Sequence, residues 1–214
     1  RVQRIARGPA GSTGWRVDDA PFDAVVLATT STEAARLVLT AHTAHPTLQG
    51  PEAAALQAWA RKAQALRFTA IATVYAQTAA LRQGTVLSQP MLALRPGAGQ
   101  PAQFVFDRMQ LGGPAGLLAF VVSASEGDRA TLEREVLQQA QDQLGLQGLR
   151  IVQTVVEKRA TFACTPALQR PPQTVANGLC ACGDYVEGPY PATLEGAVLS
   201  GTAAAGTPVA ATMA

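Results

Sequence analysis

Residues 183–205, GDYVEGPYPATLEGAVLSGTAAA, constrain the fold of this chain more than any other stretch. They follow NGLCAC (177–182), a short apolar run suited to a buried strand. Gly183-Asp184 closes that strand, and a loop with Pro189 and Pro191 comes next. From Ala192 an Ala- and Gly-rich segment reads as a helix. Gly196, Ala197, Gly201 and Ala203 are small enough to bring this helix close to a sheet or a ligand. A helix start carries unbonded N–H groups and about half a positive charge. The arrangement can therefore hold a ligand against a helix N-terminus. Its plainer alternatives are a strand-to-loop turn at Asp184 and helix–sheet packing with no ligand.

The chain's other end shows a related pattern. RVQRIAR (1–7) alternates apolar and polar residues, GPAGSTG is a turn, and WRV (15–17) pairs back as a hairpin. FDAVVLATT (22–30) holds a continuous apolar run over 24–28, as in strands buried on both faces of a parallel sheet. Thr30 to Glu33 form a capping-box pattern that opens a helix at 31–40. Strand and helix meet through a short polar turn, as in an α/β unit.

The middle reads differently. Residues 50–66 predict a helix with Pro51 in its first turn and Leu56, Trp59, Ala63 and Leu66 at helical spacing. Strands are predicted at 67–78, twice within 91–109, at 113–125 and at 149–163. An amphipathic helix at 128–145 is capped by Asp128 and ended by Gly145. LQRPPQT (168–174) reads as a proline-rich loop. This gives three segments: 1–44 and 155–214 as pieces of one layer, and 45–154 as an antiparallel sheet with helices.

Composition removes several functions. A net charge of +2 over 214 residues gives no footprint for nucleic acid. No apolar run is long enough to span a membrane. Three cysteines do not make a disulfide framework. Cys180 and Cys182 point to one face of a strand, and with only Cys164 as a further candidate ligand no metal site is expected. His42 and His45, beside Pro46, read as surface or capping residues.

The C-terminal stretch resembles the flavin-binding motif of the flavin amine oxidase and phytoene desaturase superfamily. The matching residues are Gly183-Asp184, Thr193-Leu194, Gly196-Ala197 and Ser200-Gly201. FDAVVLATTSTEAARLV (22–38) is similar to the strand that re-enters the flavin domain there. Residues 101–125, EKRATFACTP (157–166) and RPPQT (170–174) resemble the squalene-associated desaturases, or hydroxysqualene dehydroxylases, of hopanoid synthesis. The resemblance covers nearly the whole chain.

The resemblance implies FAD as cofactor. Asp184 would hold its ribityl–phosphate region, Thr193 and Leu194 the flavin ring through their backbone, and Val2 the adenine. It also implies a long isoprenoid substrate, with Tyr75, Phe104, Phe106 and Phe120 as pocket candidates. Asp107 and Arg108 would pair with each other or face the substrate hydroxyl. No catalytic acid or base can be assigned from these residues. The fold expected is α+β / α/β: a partial FAD-binding Rossmann-like layer from the chain ends, plus an antiparallel-sheet-and-helix substrate domain. The G-x-G-x-x-G turn that cradles a pyrophosphate does not occur, and RPGAGQP (95–101) does not supply it. The expectation is that the N-terminal dinucleotide-binding half is missing and that this portion alone binds FAD weakly and is inactive. An exposed sheet edge then makes a homodimer an expectation. A cytoplasmic location with peripheral contact to the inner membrane would suit the substrate. The alternatives are an amine oxidase or carotenoid desaturase, and a non-catalytic binding module.

Overall fold

The computed structural model describes residues 1–8, 14–43, 50–78 and 84–206, with only the backbone of His42 and Thr43. His45 and most of the first hairpin's turn lie outside the described residues. The fold is mixed α/β with antiparallel sheets. Contacts divide the chain into two units, Arg1–Arg67 with Phe162–Ala214, and Phe68–Thr161. The sequence-based segments ended instead at 44 and 154.

The first unit begins with an antiparallel sheet of β1 (Ile5–Arg7), β2 (Trp15–Val17) and β3 (Ala20–Phe22). β2 and β3 pair Val17 with Ala20, so Asp18 and Asp19 form a two-residue turn with φ of 45° and 76°. Such turns need positive φ at both centres, which Asp tolerates better than most residues. The Asp18 carboxylate also accepts from the Gln3 and Arg4 N–H groups, both at 2.9 Å. A second sheet has the order β10 (Thr174–Ala176), β11 (Leu179–Ala181), β4 (Val25–Leu27). β11 and β4 run parallel. The apolar run thus forms a parallel strand, but only its centre does so. β3 and β10 were not anticipated.

α1 (Ser31–Thr43) follows β4. Its start is capped by Thr30 Oγ1, which accepts from the Glu33 N–H at 3.4 Å. α2 (Pro51–Gln64) buries Leu56, Trp59, Ala60 and Ala63 and packs on α1. It therefore belongs to the first unit, whereas the sequence reading put it in the middle segment. Trp59 Nε1 donates to the Pro172 carbonyl (2.7 Å) and Trp15 Nε1 to that of Asn177 (2.9 Å). Burying a large side chain fully is worth about 1.5–3 kcal/mol, and these two carry their polar atom to a partner.

The second unit is a five-stranded sheet in the order β6 (Met91–Ala93), β7 (Phe104–Asp107), β8 (Leu117–Ser123), β5 (Phe68–Gln77), β9 (Arg150–Phe162). The β6–β7, β7–β8 and β8–β5 pairs are antiparallel. α3 (Arg129–Leu144) covers one face, where Val74, Val105, Leu118, Phe120, Leu132 and Val136 form the core. Asp128 Oδ1 accepts from the Thr131 N–H at 2.9 Å and caps α3; Gly145, at φ 69°, ends it. On the core side, Gln139 exchanges two hydrogen bonds with the Ala102 backbone, at 2.8 and 2.9 Å.

Candidate functional site

α4 (Leu194–Gly206) and the loop before it form one cradle. Ser200, on the second turn of α4, accepts from the Gly183 N–H at 2.9 Å. Its hydroxyl also lies 3.1 Å from the Gly183 carbonyl and 2.8 Å from that of Ala197. This ties the end of the β11 segment to the helix across 17 residues. Gly183 has φ 150°, and a Cβ there would sit 2.7 Å from the Tyr185 ring. Glycine is needed at this position on both counts.

Thr193 is the helix cap. Its Oγ1 accepts from the Gly196 N–H at 3.0 Å and donates to the Tyr190 carbonyl at 2.7 Å. Arg170 fixes the same loop from below, donating to the Val186 carbonyl (2.7 Å) and to that of Gly188. Tyr190 and Ala192 hold left-handed backbone at φ 54° and 59°. Among the described residues no acceptor is bonded to the N–H groups of Leu194 and Glu195. Leu194 is 87% exposed, so the helix start is open.

Asp184 is half-buried, and among the described residues no other side chain bonds its carboxylate. Burial pushes its carboxyl up; its own N–H and the nearby Arg170 charge pull the other way but do not cancel the rise. A half-buried acceptor beside an open row of N–H donors suits a ligand that carries hydroxyls next to an electron-rich ring. Tyr185 is buried, its hydroxyl has no partner among the described residues, and burial pushes its phenol up, making it a weaker acid.

Val2 lies elsewhere in the same unit. It lines a cavity of about 620 Å³ together with Ile5, Phe22, Val26, Leu37 and the polar Thr30. Thr193, Leu194, Gly183 and Asp184 are brought together by the structure; Val2 is not part of that cluster.

In the second unit, Tyr75, Phe104 and Phe106 share the sheet face away from α3. Register places both Tyr75 and Phe106 opposite Ala119, and Phe104 opposite Val121. Phe104 and Met91 are exposed there. Phe120 does not join them: it is fully buried under α3, because its neighbours in β8 alternate across the sheet. It is a core residue rather than a pocket residue. Asp107 neither pairs with Arg108 nor faces a substrate. It is buried and accepts from the Val86, Leu87 and Met109 N–H groups at 2.7, 3.1 and 3.1 Å, and from Gln110 at 3.2 Å. Burial alone would push this carboxyl up, but these bonds outweigh it and hold it below the usual range.

Cys180 and Cys182 are half-buried thiols, both pushed up by burial, and Cys164 is exposed. Among the described residues no three metal-ligating side chains converge, and no helix is long and apolar enough to cross a membrane. Ser200 and Arg170, which fix the cradle, were not singled out from the sequence. Ser200 stood in the motif without a role; Arg170 carries no local signal, since its partners lie 16 and 18 residues on.

A parallel strand pair feeds a Gly-Asp loop and an open helix start, and α/β sheets bind ligands outside the carboxyl ends of their strands. Residues 1–207 match the family described as flavin containing amine oxidoreductase, and the chain belongs to that family. No curated protein matches it. Among solved structures it is similar to an oxidoreductase from Methanosarcina mazei, with TM-score 0.55, 16% identity, and coverage of 89% of this chain and 44% of that one. A protein from Pyrococcus furiosus matches with TM-score 0.51 and 9% identity, covering 91% of this chain and 43% of that one. These likenesses establish a shared fold. The chain spans less than half the length of the structures it matches.

Proposed function

We propose that this chain is the C-terminal part of an FAD-dependent oxidoreductase that acts on a long isoprenoid. The observation that carries the reading is the cradle: Ser200 ties Gly183 to α4, and Thr193 caps the start of that helix and holds the loop at Tyr190. That leaves a carboxylate that no other side chain bonds, among the described residues, close to open N–H donors. The residues present fit a flavin. Asp184 would accept from its ribityl hydroxyls, and the N–H groups at Thr193, Leu194 and Glu195 would face the electron-rich edge of its ring. When bound, the flavin supplies hydride chemistry. A Rossmann-like nucleotide half would complete the site, in keeping with the share of the neighbours' length that the chain spans.

The substrate proposed is hydroxysqualene, reduced to squalene as the hydroxyl leaves with a proton as water. The resemblance at 101–125 and 157–174 supports this, as does the apolar sheet face bearing Tyr75, Phe104 and Phe106. That face would bind the hydrocarbon and exclude water. Peripheral membrane contact and a homodimer stay part of the proposal. An amine oxidase, the alternative, usually flanks its flavin with two aromatic rings. Tyr185 and Tyr190 lie in the loop where such a pair would stand, but Tyr185 is buried and Tyr190 is 57% exposed.

The test is the protein extended to the length of its structural relatives, given chemically reduced FAD and hydroxysqualene. Squalene formation is expected. Oxidation of an amine with no squalene would replace the isoprenoid reading. A flavin titration of the present chain is expected to show weak binding; saturation at micromolar FAD would overturn the half-site reading.

A further inference from the structure

Asn177 is the single asparagine of the chain, and Gly178 follows it. The pair forms the turn between β10 and β11, with Ala176 opposite Leu179 and Gly178 at φ 70°. Asn177 is exposed, and among the described residues neither its side-chain amide nor the Gly178 N–H makes a hydrogen bond. The two carbonyls of the turn are held instead. That of Asn177 accepts from Trp15 Nε1 and from Arg7 Nη1, both at 2.9 Å. That of Gly178 accepts from the Val25 N–H, also at 2.9 Å. Both side-chain donors are themselves fixed. Trp15 is buried, and the Arg7 guanidinium lies 4.6 Å over its ring and pairs with Glu52. A carbonyl with both lone pairs engaged holds the peptide that carries it.

We propose that Asn177-Gly178 is a deamidation site whose rate is set by the two donors on the Asn177 carbonyl. The reacting groups are neighbours: the Gly178 nitrogen, which no adjacent Cβ shields, and Cγ of the Asn177 side chain. As the nitrogen gives its proton to base it bonds to Cγ. The Cγ–Nδ2 bond breaks, and ammonia leaves after taking a proton from water. Water then opens the cyclic imide at either carbonyl, which leaves aspartate or isoaspartate. No oxidant or cofactor takes part. To bring the nitrogen onto Cγ the peptide between the two residues must rotate, and its carbonyl must leave Trp15 and Arg7. Cyclisation thus waits on a local opening of the turn. Isoaspartate lengthens the backbone of this turn and adds a charge. It should pull the Gly178 carbonyl from Val25 and loosen β11, the strand that runs on towards Gly183. The inference is independent of the flavin reading.

The test is storage of the whole chain in mildly alkaline buffer, folded and in urea, with peptide mass spectrometry resolving asparagine, aspartate and isoaspartate at position 177. The folded chain is expected to convert about 25-fold more slowly than the chain in urea, at about fivefold for each hydrogen bond that must open. Arg7→Ala and Trp15→Phe each remove one donor, and each should speed conversion about fivefold. Thr193→Ala weakens the same unit without touching either donor, so its rate should match wild type. Should R7A not fold, W15F, which keeps an aromatic ring and loses the N–H, carries the comparison. Equal rates in the folded and unfolded chain, donor variants no faster than wild type, or no isoaspartate in either variant overturns the proposal. So does an acceleration in T193A equal to theirs, since global unfolding rather than the held carbonyl would then limit the reaction.

Discussion

Gly196 should be irreplaceable where Gly201, five residues on in the same helix, is not. A Cβ on Gly196 would lie 2.2 Å from the Tyr190 carbonyl oxygen and 3.2 Å from that of Pro189. Ordinary contact needs about 3.5 Å, so the Tyr190 carbonyl must retreat by about 1 Å. It cannot do so freely, because Thr193 Oγ1 donates to it at 2.7 Å. Overpacking costs about 1–3 kcal/mol and the strained hydrogen bond about 1 more, while Ala gains about 1 over Gly in helix propensity. Gly196→Ala should therefore destabilise by about 2 kcal/mol. At Gly201 a Cβ meets nothing within 4 Å, so Gly201→Ala should stabilise by about 0.5–1 kcal/mol. Both tryptophans of the chain, Trp15 and Trp59, are buried in the first unit, so urea titration followed by tryptophan fluorescence reads this unit alone. Equal midpoints for G196A and wild type, or equal losses for both variants, would refute the packing argument.

Thr193→Ala removes the α4 cap and should cost about 1 kcal/mol in the same titration, with Thr193→Ser recovering most of it. Asp107→Ala strands three backbone N–H groups and should cost the second unit about 3 kcal/mol by circular dichroism. Because the folded carboxyl sits below its unfolded value, its contribution is present above pH about 4 and fades as pH falls through the lower folded value. Asp107→Asn should flatten that acid limb. Asp184 has the opposite sign: its raised carboxyl favours the protonated form in the fold, so Asp184→Asn should raise stability at neutral pH. The same change should weaken flavin binding by the extended protein, measured by fluorescence quenching; unaltered affinity would remove Asp184 from the site.

Secondary structure was legible wherever a period and a cap coincided. Asp128 and Gly145 bracket α3, and Pro51 opens α2, as their chemistry requires. β10 was hidden because three residues between a proline-rich loop and the Asn177-Gly178 turn carry no period. β4 was overread because an apolar run cannot say where pairing stops; its partner, β11, lies more than 150 residues away. The cradle's members were visible as a motif, but the bonds that make it a cradle were not. The 17-residue link from Ser200 to Gly183 is a tertiary fact. Phe120 was misplaced for a related reason: alternation assigns residues to two faces, and only the helix packed on one of them says which is closed.

The cradle loop also shows why so many of its residues are fixed. Tyr190 and Ala192 are not glycine, yet both hold left-handed backbone, at about 1–2 kcal/mol each. A free loop would relax. This one is over-determined: Arg170 holds its middle at Val186 and Gly188, Ser200 its start, and Thr193 its end. Each restraint acts on the backbone rather than on a side chain that could contact a ligand. The strain therefore serves position. In the proposed flavin site it would present Asp184 and the start of α4 in one geometry before the flavin arrives, so that ordering the loop would not be charged against binding. Arg170→Ala should accordingly weaken flavin affinity more than its modest effect on stability, whereas a loop that orders only on binding would show the two losses in proportion.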